Sequence, residues 1–280
     1  MSKLFQGRKV LLISKHRKEE IIAPLFLSLG LEVDVSLGID TDTLGTFDGE
    51  VNRELTPLET LRKKCELGKE KAHDGLVVAS EGSFGTHPTY WLSQANEELV
   101  MLKDFNNDLE IVGQALSTST NMDGQEITSE AELLAFAEKV KFPSHALILK
   151  NCDVAPKNIV KGITCETQLK ERYADMLRSE QRVFVQTDMR AMHNPTRQLI
   201  IQEATQDLIN KVKCTCPKCN TPGFSIVRSI PGLPCAVCST PTRSILRKEK
   251  ECQKCGYIET VEFPNGKEVE SPQFCDFCNP

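Results

Sequence analysis

A chain of 280 residues, 40% hydrophobic and 26% charged, is long enough for a sizeable core and a second small unit, and its balance is that of an ordinary globular protein. The formal charge of −5 is mild and gives no case for a polyanion-binding surface. No stretch reaches the length of a membrane helix and residues 1–15 lack a signal peptide's apolar core, so a cytoplasmic protein without membrane contact is expected.

The first 213 residues alternate strand-like and helix-like patterns. Val10–Ile13 is a short apolar run suited to a buried strand, and residues 17–29 have helical spacing through Ile21, Ile22, Leu25 and Leu29, with Gly30 as the stop. Residues 32–37 alternate as a second strand. Thr56 before Pro57 and Glu59 reads as an N-cap with proline at the first helical position, opening a helix to about Ala72. The third strand is Leu76–Ser80, followed by the stretch EGSFG. Residues 98–103 and 109–116 read as strands around an Asn106-Asn107 turn. Ser129 with Glu132 begins a helix to about Val140. Strands at 145–149 and 158–163, a helix at 166–177, a strand at 182–187 and a helix at 195–212 complete the pattern.

Some consecutive strands lack a crossover helix, so the sheet must be mixed. The expected fold is α/β: a mixed-sheet, sandwich-like domain over residues 1–213, followed by a small double zinc-ribbon domain over 214–280. Residues 38–55 form a long connection without secondary-structure signals. It reads either as a solvated excursion or as a lid or binding loop, whose Asp42 and Glu50 would close over a ligand.

Four elements of the first domain carry residues that suit one anion site. The first strand ends in Ser14-Lys15-His16 and enters a helix with Lys18 in its first turn, where backbone N–H groups and the dipole favour phosphate. The Thr56 helix carries Glu59 and, about a turn later, Lys64. The third strand delivers Glu81 with Ser83 among glycines that permit close approach to the backbone. The stretch TDMRAMHNPTR brings Arg190, His193 and Arg197. Two carboxylates beside several cations suit a magnesium–triphosphate: the acids hold the hard cation and the basic groups neutralise phosphate oxygens. His87 before Pro88, and Trp91, either line the same pocket or close a turn.

Nine of the twelve cysteines fall within residues 214–280, eight of them as four C-x-x-C pairs: Cys216/Cys219, Cys235/Cys238, Cys252/Cys255 and Cys275/Cys278. Two such pairs make a closed four-sulfur zinc site, so two structural zinc ions are expected, with Cys214 left over. Sequential pairing, with 15 and 19 residues between knuckles, is favoured over a nested one because VEFPNGKEVE reads as a hairpin between the last two knuckles. A segment with so little apolar content needs metal to fold. Its eight Lys/Arg against seven Asp/Glu are thin evidence for nucleic acid, which stays open beside a protein-contact or dimerisation role.

The N-terminal residues resemble the inosine triphosphate pyrophosphatase superfamily, including its non-canonical purine phosphatase branch. ISKHRKEEI occupies the place of that family's first strand–turn–helix, ETLRKKC puts Glu59 and Lys64 at its helix-start spacing, SEGSFG stands at its acidic-glycine strand end, and MHNPTR loosely echoes its Ser-His-Arg segment. Asparagine is missing from the first turn and from the helix start. As a whole, with EGSFG, TDMRAMHNPTR and the cysteine tail, the chain looks like an uncharacterised bacterial family. The expectation is a magnesium-dependent phosphoanhydride hydrolase acting on a nucleotide or phosphorylated small molecule. Glu59 and Glu81 would ligate the metal, and Lys15, Lys18, Arg190 and Arg197 would carry phosphate charge. The alternative is a non-catalytic ligand-binding adaptor whose zinc ribbons contact a protein or nucleic acid.

Overall fold

The computed structural model describes residues 4–36, 38–39, 41–44, 55–152, 158–179 and 182–280. They form two compact units. The larger comprises Gly7–Asp108 and Val112–Ile209; the smaller comprises Leu109–Ile111 and Asn210–Pro280 with the described N-terminal residues up to Gln6. Among the described residues the architecture is mixed α/β, with five α-helices and three sheets.

The first sheet of the larger unit has the order β2-β1-β3-β4-β5. Its strands are β1 (Lys9–Ile13), β2 (Glu32–Ser36), β3 (Leu76–Thr86), β4 (Gln94–Asp104) and β5 (Leu109–Ser117). β1 pairs in parallel with both β2 and β3, and β3 pairs antiparallel with β4. Helix α1 (Glu19–Phe26) links β1 to β2, and α2 (Pro57–Gly68) leads back to β3 on the other side of β1. Successive connections therefore step to opposite sides of β1, and its carboxyl end is a topological switch point, where open α/β sheets form a crevice.

Local chemistry explains these elements. Burial is continuous along β1, whose Val10 to Ile13 are all buried, as a parallel central strand requires. Gly30 stops the first helical segment in the left-handed conformation, at φ 67°. Thr56 and Glu59 form a reciprocal capping box at the start of α2, with Pro57 in the first turn. Leu61 and Cys65 of α2 pack on Ile13, Val77, Ala79, Leu99 and Met101.

The second sheet has the order β6-β9-β7-β8, from β6 (Gly124–Ile127), β7 (Leu147–Asn151), β8 (Ile159–Ile163) and β9 (Val183–Thr187). Its core takes Leu133, Phe136 and Ala137 from α3 (Glu130–Lys139) and Leu169, Tyr173 and Met176 from α4 (Glu166–Ser179). Helix α5 (Pro195–Lys213) opens with Asn194, whose side-chain oxygen accepts from the Arg197 N–H.

Three sequence expectations need correcting. The third strand does not end at Ser80: β3 continues through EGSFG and pairs residue by residue with β4 to Thr86↔Gln94. β6 is a strand that the sequence does not signal, because GQEI has no apolar alternation. The third correction is VEFPNGKEVE, which makes a turn at Phe263–Gly266 but no hairpin; beyond it the chain forms a single parallel bridge, Cys235↔Glu270. Of the long connection, Asp42–Leu44 form a 3-10 turn, and Glu50 lies outside the described residues.

The smaller unit holds an antiparallel sheet of β10 (Ser225–Pro231), β11 (Ile245–Glu251) and β12 (Ile258–Glu262). No helix among the described residues is long and apolar enough to cross a membrane.

Candidate functional site

Five charged side chains meet at the carboxyl end of β1. Register places them. β1 accompanies β3 only through Leu12↔Val78, so Ser80, Glu81 and Gly82 lie just beyond it, still paired with β4. Successive strand residues face opposite sides. Ser80 and Gly82 therefore share a face with Glu98, the residue opposite Gly82, whereas Glu81 shares the face packed by α2.

On the first face, Lys18 Nζ donates to Ser80 Oγ at 3.2 Å. Arg197, from the first turn of α5, donates from Nε to Glu98 Oε1 at 2.6 Å and from Nη2 to Oε2 at 3.3 Å. Its Nη1 donates to the Met189 carbonyl at 2.5 Å, and its guanidinium lies 5.4 Å from the centroid of the Phe84 ring. Both Arg197 and Glu98 are fully buried. Gly82 makes this possible: a Cβ there would lie within 2.6 Å of both Glu98 carboxylate oxygens and would strike Arg197 Nη2. On the second face, Lys64 Nζ donates to Glu81 Oε2 at 2.5 Å and to the Ser80 carbonyl at 3.2 Å. The two lysines thus straddle β3.

Three cations and two carboxylates are gathered here, and each carboxylate has a cation in contact. Lys18 has none. It is 7% exposed, its ammonium contacts a hydroxyl, and among the described residues it forms no ion pair. Burial, then Arg197, then Lys64 lower its pKa to about 7, against the opposing pull of Glu98 and Glu81.

The other expected site residues are placed as follows. Ser14 is buried and exchanges hydrogen bonds with Glu19, accepting from its N–H and donating to its carboxylate. Lys15 and His16 are half-buried in the turn before α1, where His16 and Arg17 both hold left-handed backbone at φ 62° and 61°. Two such residues in succession mark a constrained loop. Glu59 is occupied in its capping box, where its exposed carboxylate accepts from the Thr56 N–H and hydroxyl. Ser83 donates to Glu97 at 3.3 Å. Arg190 makes a forked pair with fully buried Asp188, which also accepts from the Gly162 N–H. His193 stands beside Gly162 and Arg190, and burial lowers its pKa against the attraction of Asp188. His87 closes the β3–β4 turn, its Nδ1 accepting from the Thr89 and Tyr90 N–H groups.

Sequence reasoning therefore named Lys18, Lys64, Glu81 and Arg197 of this cluster and missed Glu98. A signal for Glu98 existed. It alternates with Val100 and Leu102, so it stands on an inward-facing position of an apolar strand, where a lone acid requires a partner.

In the smaller unit the cysteines gather as Cys216, Cys219, Cys252 and Cys255, and as Cys235, Cys238, Cys275 and Cys278. The sequential pairing is thereby corrected to a crossed one. The sheet supplies the reason: Ser225, at the start of β10, pairs with Glu251, at the end of β11, so the knuckles before β10 and after β11 share one end. Pro231 pairs with Ile245 at the opposite end, where the 235/238 knuckle follows β10.

Each quartet fits one zinc ion. A tetrahedron with Zn–S arms of about 2.3 Å has edges of about 3.8 Å; the sulfurs stand 3.7 and 3.5 Å apart in one quartet and 3.9 and 3.6 Å in the other. Backbone N–H groups of Lys218 and Val237 point at the sulfurs of Cys216 and Cys235. Asn220, Ser239 and Gly256, each just after its pair, turn the chain with positive φ. Hydroxyl and backbone hydrogen bonds of Thr221 and Thr240 bring Cys219 and Cys238 down to about 6. Despite a backbone hydrogen bond from Tyr257, desolvation and the neighbouring sulfurs push Cys255 up to about 12; Cys238 and its neighbours do the same to Cys278. A dication relieves this crowding by holding all four as thiolates. Four sulfurs close the coordination sphere, so the role these sites suit is structural. The surrounding apolar core is small: Phe224 and Tyr257 stack at 5.8 Å beside buried Cys216 and Cys252.

Among the described residues these quartets are the only groups of three or more His, Cys, Asp or Glu gathered closely enough to share an ion; Glu59 and Glu81 belong to neither. Magnesium therefore gains no support from such a group among them.

Compared with known families, residues 64–280 match the model of a domain of unknown function, DUF6671. No curated protein and no solved structure matches the chain, and the resemblance to the inosine triphosphate pyrophosphatases finds no support there.

Proposed function

The chain belongs to the DUF6671 family, a domain of unknown function, and from that premise we propose that its α/β unit binds a small phosphate-type anion at the carboxyl end of β1. One observation carries the reading: Lys18 is buried with a hydroxyl as its contact and, among the described residues, no carboxylate. A buried ammonium without a counter-charge is costly, and an anionic ligand supplies what the fold omits. The place agrees, since ligands of open α/β sheets sit beyond the carboxyl ends of the strands at the switch point. Lys15 lies in the same turn between β1 and α1.

Magnesium-assisted hydrolysis of a phosphoanhydride, with Glu59 and Glu81 as ligands, fits less well. Both acids are already engaged, Glu59 by Thr56 and Glu81 by Lys64, and a metal would have to displace those partners. Direct binding of the anion by cations needs no such rearrangement.

Calorimetric titration of the zinc-loaded chain with inorganic phosphate, pyrophosphate and a nucleotide panel tests the reading, each with and without magnesium. Saturable binding that Lys18→Met abolishes is the expected result. Absence of binding by every anion, or equal binding by the variant, refutes it. Release of phosphate that requires magnesium would restore the hydrolase instead.

A second reading, the contact module, is favoured by exposed apolar side chains at the second cysteine quartet: Val237 at 72%, Phe274 at 63% and Phe277 at 73% exposure. Soluble chains seldom cluster such residues without a partner. Affinity capture with wild type against Val237→Ser/Phe277→Ser tests it: a bound protein that the variant fails to retain supports this role.

A further inference from the structure

We propose that Lys18 is an imine-forming amine, whose Nζ condenses with the carbonyl group of a small aldehyde or ketone. The condensation uses the uncharged amine and does not rest on the anion site proposed above, which uses the same Nζ as an ammonium.

An amine attacks carbonyl carbon only through its free lone pair, so a nucleophilic lysine must lose its proton near neutral pH. Desolvation and adjacent cations do this. Both act on Lys18. It is buried, and the charges that face it come from four elements: Arg197 of α5, Glu98 of β4, Lys64 of α2 and Glu81 of β3. The acids, which would hold the ammonium form, are each contacted by another cation, Glu98 by Arg197 and Glu81 by Lys64. The resulting pKa of about 7 leaves a substantial share of free amine at neutral pH.

The chemistry balances without a redox partner. The Nζ lone pair bonds the carbonyl carbon while the C–O π pair moves to oxygen. Both amine protons pass to that oxygen, and Ser80 Oγ, 3.2 Å from Nζ, is placed to relay one of them. The oxygen departs as water and the C=N bond remains. Lys64 is unsuited to the same role because it is tied to the Glu81 carboxylate, and Arg197 because a guanidinium keeps its proton.

The test uses the zinc-loaded chain with two probes, pyridoxal 5′-phosphate and uncharged propionaldehyde, each trapped by borohydride and mapped by peptide mass spectrometry. At pH 7 the free-amine fraction of Lys18 exceeds that of an ordinary lysine on the order of a thousandfold. The peptide carrying Lys18 should therefore hold most of the label at pH 7, with surface lysines joining only as the pH approaches 10. Lys18→Met should remove that adduct and leave the others unchanged. Label spread over surface lysines without enrichment at Lys18 overturns the proposal, whether or not inorganic phosphate binds. Enrichment at Lys18 by both probes equally, with no phosphate binding, keeps the imine and sinks the anion site.

Discussion

Replacing Arg197 by methionine isolates the buried ion pair on which the site is built. The guanidinium and the Glu98 carboxylate are 0% and 1% exposed, and the arginine makes two contacts to the carboxylate and one to the Met189 carbonyl. Removing one partner strands a carboxylate in the interior, which costs about 3–5 kcal/mol. For a unit of this size each kcal/mol lowers Tm by about 2–4 °C, so a fall of roughly 6–20 °C is expected. Thermal melting of the zinc-loaded chain by circular dichroism, with urea titration alongside, reads it. The double variant Arg197→Met/Glu98→Leu removes the stranded charge and should recover at least half of the loss. A single variant within about 1 kcal/mol of wild type, or a double variant no better than the single, refutes the argument that the pair holds β4 to the start of α5.

Three further outcomes are expected. Gly82→Ala forces a methyl into the Arg197–Glu98 contact and should cost about 1–3 kcal/mol, read by the same melts. The folded-state pKa of Lys18, about 7, lies below its unfolded value near 10.4, so the unfolded chain binds more protons between these limits. Stability should therefore rise with pH across that window, by at most about 1.4 kcal/mol per unit, and Lys18→Met should flatten this component. Metal analysis distinguishes the cysteine pairings: Cys216→Ser/Cys252→Ser should leave one zinc per chain and Cys216→Ser/Cys235→Ser none, the reverse of what sequential pairing requires. Chelation of both ions should unfold the smaller unit, which gains roughly 10 kcal/mol or more from metal.

Much of the fold was legible because its signals are local. Thr56-Pro57-Glu59 specifies a capped helix start, Gly30 a left-handed stop, and Val10–Ile13 a strand covered on both sides. Where the signal was not local, reading failed. The apolar run suggests a strand that ends at Ser80, yet β3 runs on through EGSFG, where Gly82 leaves room for the side chain of Arg197, more than a hundred residues away in the chain. Glu59 and Glu81 looked like a metal pair, but their partners are Thr56 and Lys64.

The residue types and spacings alone determined that the chain carries eight paired thiols suited to two metal ions, and gave Lys18, Lys64, Glu81 and Arg197 to the strands and helices of one α/β region. Tertiary structure alone decided which thiols share an ion, since antiparallel pairing of β10 with β11 sets the first knuckle beside the third. It also decided which charges cancel. Register puts Glu98 opposite Gly82 and gives it to Arg197, α2 gives Lys64 to Glu81, and Lys18 is left buried against a hydroxyl. Spacing along a chain specifies local geometry, but the partner of a buried charge is set by which strands and helices meet.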